Sequence, residues 1–77
     1  MVFNPMSHEF ATGDRVRITR LPSYVKTAEP MPMLRSPWVI TLGEEGTILS
    51  CQPGNEWAVR LEKGAYLLSS QYFEKVG

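Results

Sequence analysis

Short stretches of alternating apolar and polar residues dominate the chain. Arg15-Val16-Arg17-Ile18-Thr19 has the period-two pattern of a half-buried strand, with Val16 and Ile18 turned inward. Glu56-Trp57-Ala58-Val59-Arg60-Leu61-Glu62 alternates in the same way, with Trp57, Val59 and Leu61 on one face. Lys63-Gly64 then turns the chain into Ala65-Tyr66-Leu67-Leu68-Ser69, which predicts a tight hairpin. Glu44-Glu45-Gly46-Thr47-Ile48-Leu49-Ser50 reads as a strand in which Gly46 suits a bulge or a close backbone approach. Trp38-Val39-Ile40-Thr41-Leu42 is a β-favouring run, and Gln52-Pro53-Gly54-Asn55 is a turn. Ser70-Gln71-Tyr72 predicts one 3₁₀ turn, and Phe73-Glu74-Lys75-Val76 a short closing strand.

Residues 22–37 break this rhythm. The segment holds four of the six prolines, at 22, 30, 32 and 37, and its Lys26-Thr27-Ala28-Glu29 is too short to stand as a helix. A loop of this length within a compact domain is usually functional or mobile, and its Tyr24, Val25, Met31, Met33 and Leu34 argue that it packs back on the body. The order is strand, long Pro-rich loop, further strands, tight hairpin, 3₁₀ turn and closing strand. It predicts an all-β fold: a small SH3-like β-barrel of about five short antiparallel strands. Residues 1–10 show no period and read as a flexible arm, with Met6 as an alternative to Met1 as the start; residues 11–77 form the single barrel domain.

A length of 77 residues allows one small domain, and 43% apolar content is enough to fill a compact core. Eight Lys/Arg balance eight Asp/Glu, whereas general nucleic-acid grip draws on an excess of cations, so the composition argues against it. Cys51 is the only cysteine and His8 the only histidine, which excludes an intrachain disulfide and a closed Cys/His zinc site. No apolar run reaches the ~18 residues of a membrane span, and the start lacks a secretory pattern. A cytoplasmic setting is expected, with no cofactor and no small-molecule substrate.

Candidate catalytic groups do not converge. His8 lies in the arm, and Cys51 is expected as a half-buried thiol without an electropositive setting. Glu44 and Glu45 are adjacent on a strand, so their side chains diverge. No enzymatic activity is expected. Arg15, Arg17 and Arg60 could form a basic stripe, but the zero net charge favours an ordinary solvated surface. Trp57 reads as core. Prolines 30, 32 and 37 do not make a PxxP ligand, and the first strand and loop lack the acidic, Tyr-rich surface of polyproline-binding domains. The interaction candidates are in the long loop, where unbranched, polarisable Met and aromatic residues suit protein interfaces.

Gly13-Asp14-Arg15-Val16-Arg17, the block Tyr24-Val25-Lys26-Thr27-Ala28-Glu29-Pro30-Met31-Pro32-Met33-Leu34-Arg35, Leu42-Gly43-Glu44-Glu45-Gly46-Thr47-Ile48, Trp57-Ala58-Val59-Arg60-Leu61 and Tyr66-Leu67-Leu68-Ser69-Ser70-Gln71-Tyr72 together resemble the SipA family of cyanobacteria, the NblS-interacting proteins. The resemblance implies an SH3-like adaptor that binds the ATP-binding catalytic domain of a sensor histidine kinase. It would enhance autophosphorylation in two-component stress signalling. The partner-binding residues expected on the matching block and at its edge are Tyr24, Lys26, Met31, Met33, Arg35 and Trp38. Weaker similarity to the PsaE subunit of photosystem I and to the variable chain of ferredoxin-thioredoxin reductase implies instead a cofactor-free docking subunit in photosynthetic electron transfer. Gly-Asp-x-Val-x-Ile and Gly-Thr-Ile alone resemble a KOW-like RNA or ribosome module.

Overall fold

The structure is a computed structural model, and it describes residues 10–76. The expected arm, His8 and the alternative start therefore lie outside the described residues, except for Phe10. The described residues form one antiparallel sheet of seven strands: β1 (Arg15–Ile18), β2 (Val25–Thr27), β3 (Leu34–Arg35), β4 (Glu45–Gln52), β5 (Glu56–Leu61), β6 (Gly64–Ser69) and β7 (Phe73–Lys75). Their order across the sheet is β3-β2-β6-β5-β4-β1-β7.

Period-two alternation decides which face is buried. Val16, Ile18, Val25, Ile48, Trp57, Val59, Leu61, Tyr66, Leu68 and Phe73 join Ile40 in one apolar cluster. Val25 on β2 and Phe73 on β7 lie far apart in hydrogen-bonding order, yet both belong to that cluster. The sheet is thus rolled around a single core, as the SH3-like reading expects. The meander β4-β5-β6 is its centre; Ile48↔Val59↔Tyr66 is one of its inward rows. The hairpin at 56–69, the 3₁₀ turn at Ser70–Tyr72 and the closing strand follow the sequence pattern.

The structure departs from the pattern in four places. The long loop contributes β2 and β3 to the sheet, in register Val25↔Arg35 and Lys26↔Leu34, so the strand count exceeds five. Thr27 is the buried polar residue there; its N–H donates to the Met33 carbonyl at 2.9 Å, and its Oγ1 accepts from the Met33 N–H at 2.9 Å. These bonds give the short hairpin a reason to form inside a Pro-rich segment. Second, Trp38–Leu42 is not a strand. Pro37–Val39 make a 3₁₀ turn, started by Ser36, whose Oγ accepts from the Trp38 N–H at 3.1 Å. A proline next to a capping serine outweighs the β preference of Trp-Val-Ile. Third, Gly46 marks the close approach, while the bulge falls between Ile48 and Ser50. Fourth, Phe10 packs its ring on Trp57 and Phe73, with centroids 5.4 and 5.0 Å away.

At the β3 end, Val25↔Arg35 lies two residues from the hydrogen-bonded Thr27–Met33 pair. Leu34 falls between them, so alternation turns its N–H and C=O away from β2. Pro32, two residues earlier, has no N–H to offer.

Candidate protein-docking surface

The feature that folding does not explain is a set of large apolar side chains in water. Tyr24, Met31, Met33, Leu34, Trp38 and Leu42 are all exposed, with Met31 at 82%, Trp38 at 76% and Leu34 at 66%. All belong to the excursion between β1 and β4. The expectation that the loop 22–37 packs its apolar residues on the body holds for Val25, which is buried, and fails for Tyr24, Met31, Met33 and Leu34. β2 is the reason. Its alternation sends Val25 and Thr27 into the core and turns the flanking positions out. The two-residue β3 has no strand on its far side to bury Leu34.

The six residues named from sequence divide by element. Tyr24 immediately precedes β2, Lys26 lies on it, and Arg35 lies on β3. Met31 and Met33 occupy the connection between these strands, and Trp38 rides on the 3₁₀ turn just after Arg35. The hairpin register brings Lys26 opposite Leu34 and Arg35 opposite Val25. Lys26 is an ion-paired wall, not a free cation: its Nζ lies 3.3 Å from Glu56 Oε1 on β5. Leu42 was hidden by reading 38–42 as a strand. Gly43, at φ +85°, was the signal that a turn exposes it.

Several other charged groups have structural partners. Both oxygens of Glu44 accept backbone N–H groups, from Thr41 at 3.0 Å and Glu62 at 2.8 Å. Glu45 diverges as expected and pairs with Arg15 at 3.3 Å and Arg17 at 3.8 Å; Arg17 also reaches Glu74 at 3.5 Å. The register Arg15↔Thr47↔Arg60 does align the cations, but interleaved carboxylates neutralise the β1 end of the stripe. Asp14 has its carboxyl held below the usual carboxylate range, first by the Ala11 N–H and then by Lys75, 3.3 Å away. Cys51 is exposed, not half-buried, because it lies beyond the core near the β4–β5 turn. Among the described residues, no group of three or more His, Cys, Asp or Glu could hold a metal ion, and no helix is long and apolar enough to cross a membrane.

Comparison with known proteins gives two matches. The sequence model of the family described as Protein CHLORORESPIRATORY REDUCTION 42-like matches residues 12–73. A curated relative, "Protein CHLORORESPIRATORY REDUCTION 42, chloroplastic" of Arabidopsis thaliana, is 41% identical over 63 residues, covering 80% of this chain and 52% of the relative. The chain thus spans about half the length of that relative. No solved structure matches it significantly.

These matches overturn the SipA resemblance. The sensor histidine kinase partner, the enhancement of autophosphorylation, the two-component stress role and the cyanobacterial assignment fall with it. The PsaE-like or reductase-chain-like docking subunit and the KOW-like module find no support either. The block Tyr24–Arg35, the specific part of that resemblance, folds as the β2–β3 hairpin, whose pairing is backbone and Thr27 chemistry and names no kinase. Gly13-Asp14 shapes the entry to β1, and Gly46 sits where β4 meets β5, so those shared motifs report barrel geometry and carry no information about a partner.

Proposed function

Taking as premise that the chain belongs to the CHLORORESPIRATORY REDUCTION 42-like family, we propose that it is a non-enzymatic docking module that binds another protein through the excursion between β1 and β4 and acts in chlororespiratory reduction, the process named in its Arabidopsis relative. The observation that carries this reading is the exposure of Met31, Met33, Leu34, Trp38 and Leu42 around a well-made core. Several large apolar side chains left in water along one ordered segment mark a candidate interaction surface. Tyr24, Lys26 and Arg35 supply the polar and aromatic rim such a surface uses.

A non-catalytic role is supported by the structural engagement of Glu44, Glu45 and Asp14. Glu44 is bound to backbone, and Glu45 and Asp14 hold cations. The free, exposed thiol of Cys51 suits a reducing compartment.

The test is genetic and biophysical together. Cells whose copy carries Met31→Asp, Met33→Asp and Trp38→Ala should lose chlororespiratory electron flow as deeply as cells lacking the gene, while the purified variant keeps its far-UV spectrum and melting temperature. Wild-type flow with the folded variant would remove the docking surface, and wild-type flow in the deletion would remove the process.

A further inference from the structure

A second surface adjoins the exposed apolar residues and shares Tyr24 and Lys26 with their rim. A groove is lined by Pro22–Tyr24, by Gln71 and Tyr72 of the 3₁₀ turn, and by Leu67 and the Lys26–Glu56 pair. We propose that this groove binds an extended, uncharged, proline-rich peptide segment of a partner protein in the polyproline II conformation. The proposal does not rest on the docking excursion being the functional surface.

Three properties of the groove select that occupant. Its walls carry Tyr24, Tyr72 and Pro22. Flat rings held at a groove edge accept prolyl rings, which arrive already ordered and lose little entropy on binding. The first strand and loop are expected to lack the acidic, Tyr-rich surface of polyproline-binding domains; the second tyrosine comes from outside them, as Tyr24 and Tyr72, 48 positions apart, line one groove.

Charge is the second property. The cation and anion in the groove, Lys26 and Glu56, are 3.3 Å apart and satisfy each other. A strongly charged ligand would gain little there and would lose hydration, so charge matching favours a neutral one.

The third is hydrogen bonding. A polyproline II segment makes no internal backbone hydrogen bonds, so its carbonyls need donors from the receptor. The groove offers them: Ser69 occupies the cap position of the 3₁₀ turn without making a side-chain cap bond, and the exposed Gln71 amide and the tyrosine hydroxyls stand beside it.

The experiment is an NMR titration of the isotopically labelled full chain with the uncharged peptide acetyl-Ala-Pro-Pro-Leu-Pro-Pro-Ala-amide and with its counterpart carrying alanine for every proline. Saturable shifts should concentrate at 23–26 and 69–72, change little with salt, and fall at least about tenfold in affinity for the alanine peptide. Tyr24→Ala should weaken binding by about five- to tenfold, the effect of removing an aromatic anchor. Because Tyr24 is exposed, this variant keeps the fold; Tyr72→Phe, which removes only a hydroxyl, is the companion. Equal binding of the two peptides, shifts elsewhere, or steep salt dependence would overturn the proposal. So would concentration-dependent broadening at these positions without peptide, which would make a second copy's Pro30–Pro32 loop the occupant. If the excursion variant of the preceding section still binds the peptide, the two surfaces are independent.

Discussion

Gly46→Ala is the sharpest probe of the barrel. Gly46 lies on β4 opposite Val16 of β1 and is buried. Its φ is negative, so alanine fits the backbone conformation and, by restricting the unfolded chain, would alone stabilise by about 0.4–1 kcal/mol. Space decides otherwise. A Cβ there would lie 2.5 Å from the Arg60 carbonyl oxygen and 2.5 Å from Leu61 Cδ2, nearly an ångström inside the ordinary contact range that begins at 3.4 Å. Leu61 is in the core and cannot simply rotate away. The Arg60 oxygen belongs to backbone in the β4–β5–β6 meander, so moving it disturbs the ladder. Overpacking of this kind costs about 1–3 kcal/mol, and a lost ladder hydrogen bond about 1 kcal/mol more. The net expectation is a loss of about 2–3 kcal/mol, seen as a fall in melting temperature of roughly 10–20 °C for a domain of this size. Urea and thermal unfolding followed by far-UV circular dichroism measure it. A variant within about 0.5 kcal/mol of the parent would refute the reasoning, since that is the scatter of neutral substitutions. Gly43→Ala is the contrast: no atom lies within 4 Å of its Cβ, but φ is +85°, so it should cost about 1–2 kcal/mol through strain alone.

Other expectations follow from the same contacts. Glu44→Ala removes the acceptor for the Thr41 and Glu62 N–H groups and should destabilise by about 1–2 kcal/mol in urea titrations, with Glu44→Gln recovering part of the loss. Asp14 has a folded-state pKa below its ordinary value of 3.8, so the stability it contributes is present above that value and fades as pH falls through the lower folded one. Asp14→Asn should therefore flatten the acid limb of the unfolding midpoint against pH, and an unchanged limb would show that the Ala11 and Lys75 contacts do not bear on stability. Trp57→Ala should cost about 3–5 kcal/mol, whereas Trp38→Ala should stay within about 0.5 kcal/mol of the parent by the same melt. Equal effects would mean that Trp38 is not free of the core.

Much of the barrel could be read from residues because its strands are half-buried. Val16, Ile18, Trp57, Val59 and Leu61 had to share faces once the period was two, and Lys63-Gly64 left only a tight turn between β5 and β6. What escaped was decided over distance. Thr27 and Met33 pair across a Pro-rich connection, and nothing local in Lys-Thr-Ala-Glu announces that a sheet edge will accept it. Trp38-Val39-Ile40 looked like strand because β preference is mostly a packing preference, and Ser36-Pro37 removed the packing. On the candidate surface, Tyr24, Met31, Met33 and Trp38 were recognised by side-chain type, and Leu34 among the loop's apolar residues; the structure supplies their exposure. The tyrosine groove was missed because its two walls are remote in sequence. The SipA resemblance rests mainly on the Tyr24–Arg35 block, and the family match over residues 12–73 overturns it; the glycine motifs beside that block report only barrel geometry.

The outward-facing peptide of Leu34 has a wider consequence. An unfinished sheet invites further strands, and identical chains queued along such a border are how fibrils begin. Here the border is two residues long and is preceded by a proline that cannot donate, so a newcomer would find too few bonds to stay. Greasy side chains can thus stand in water on this margin without seeding polymerisation: whatever settles there must be recognised by its side chains, and the backbone gives no foothold to a copy of itself.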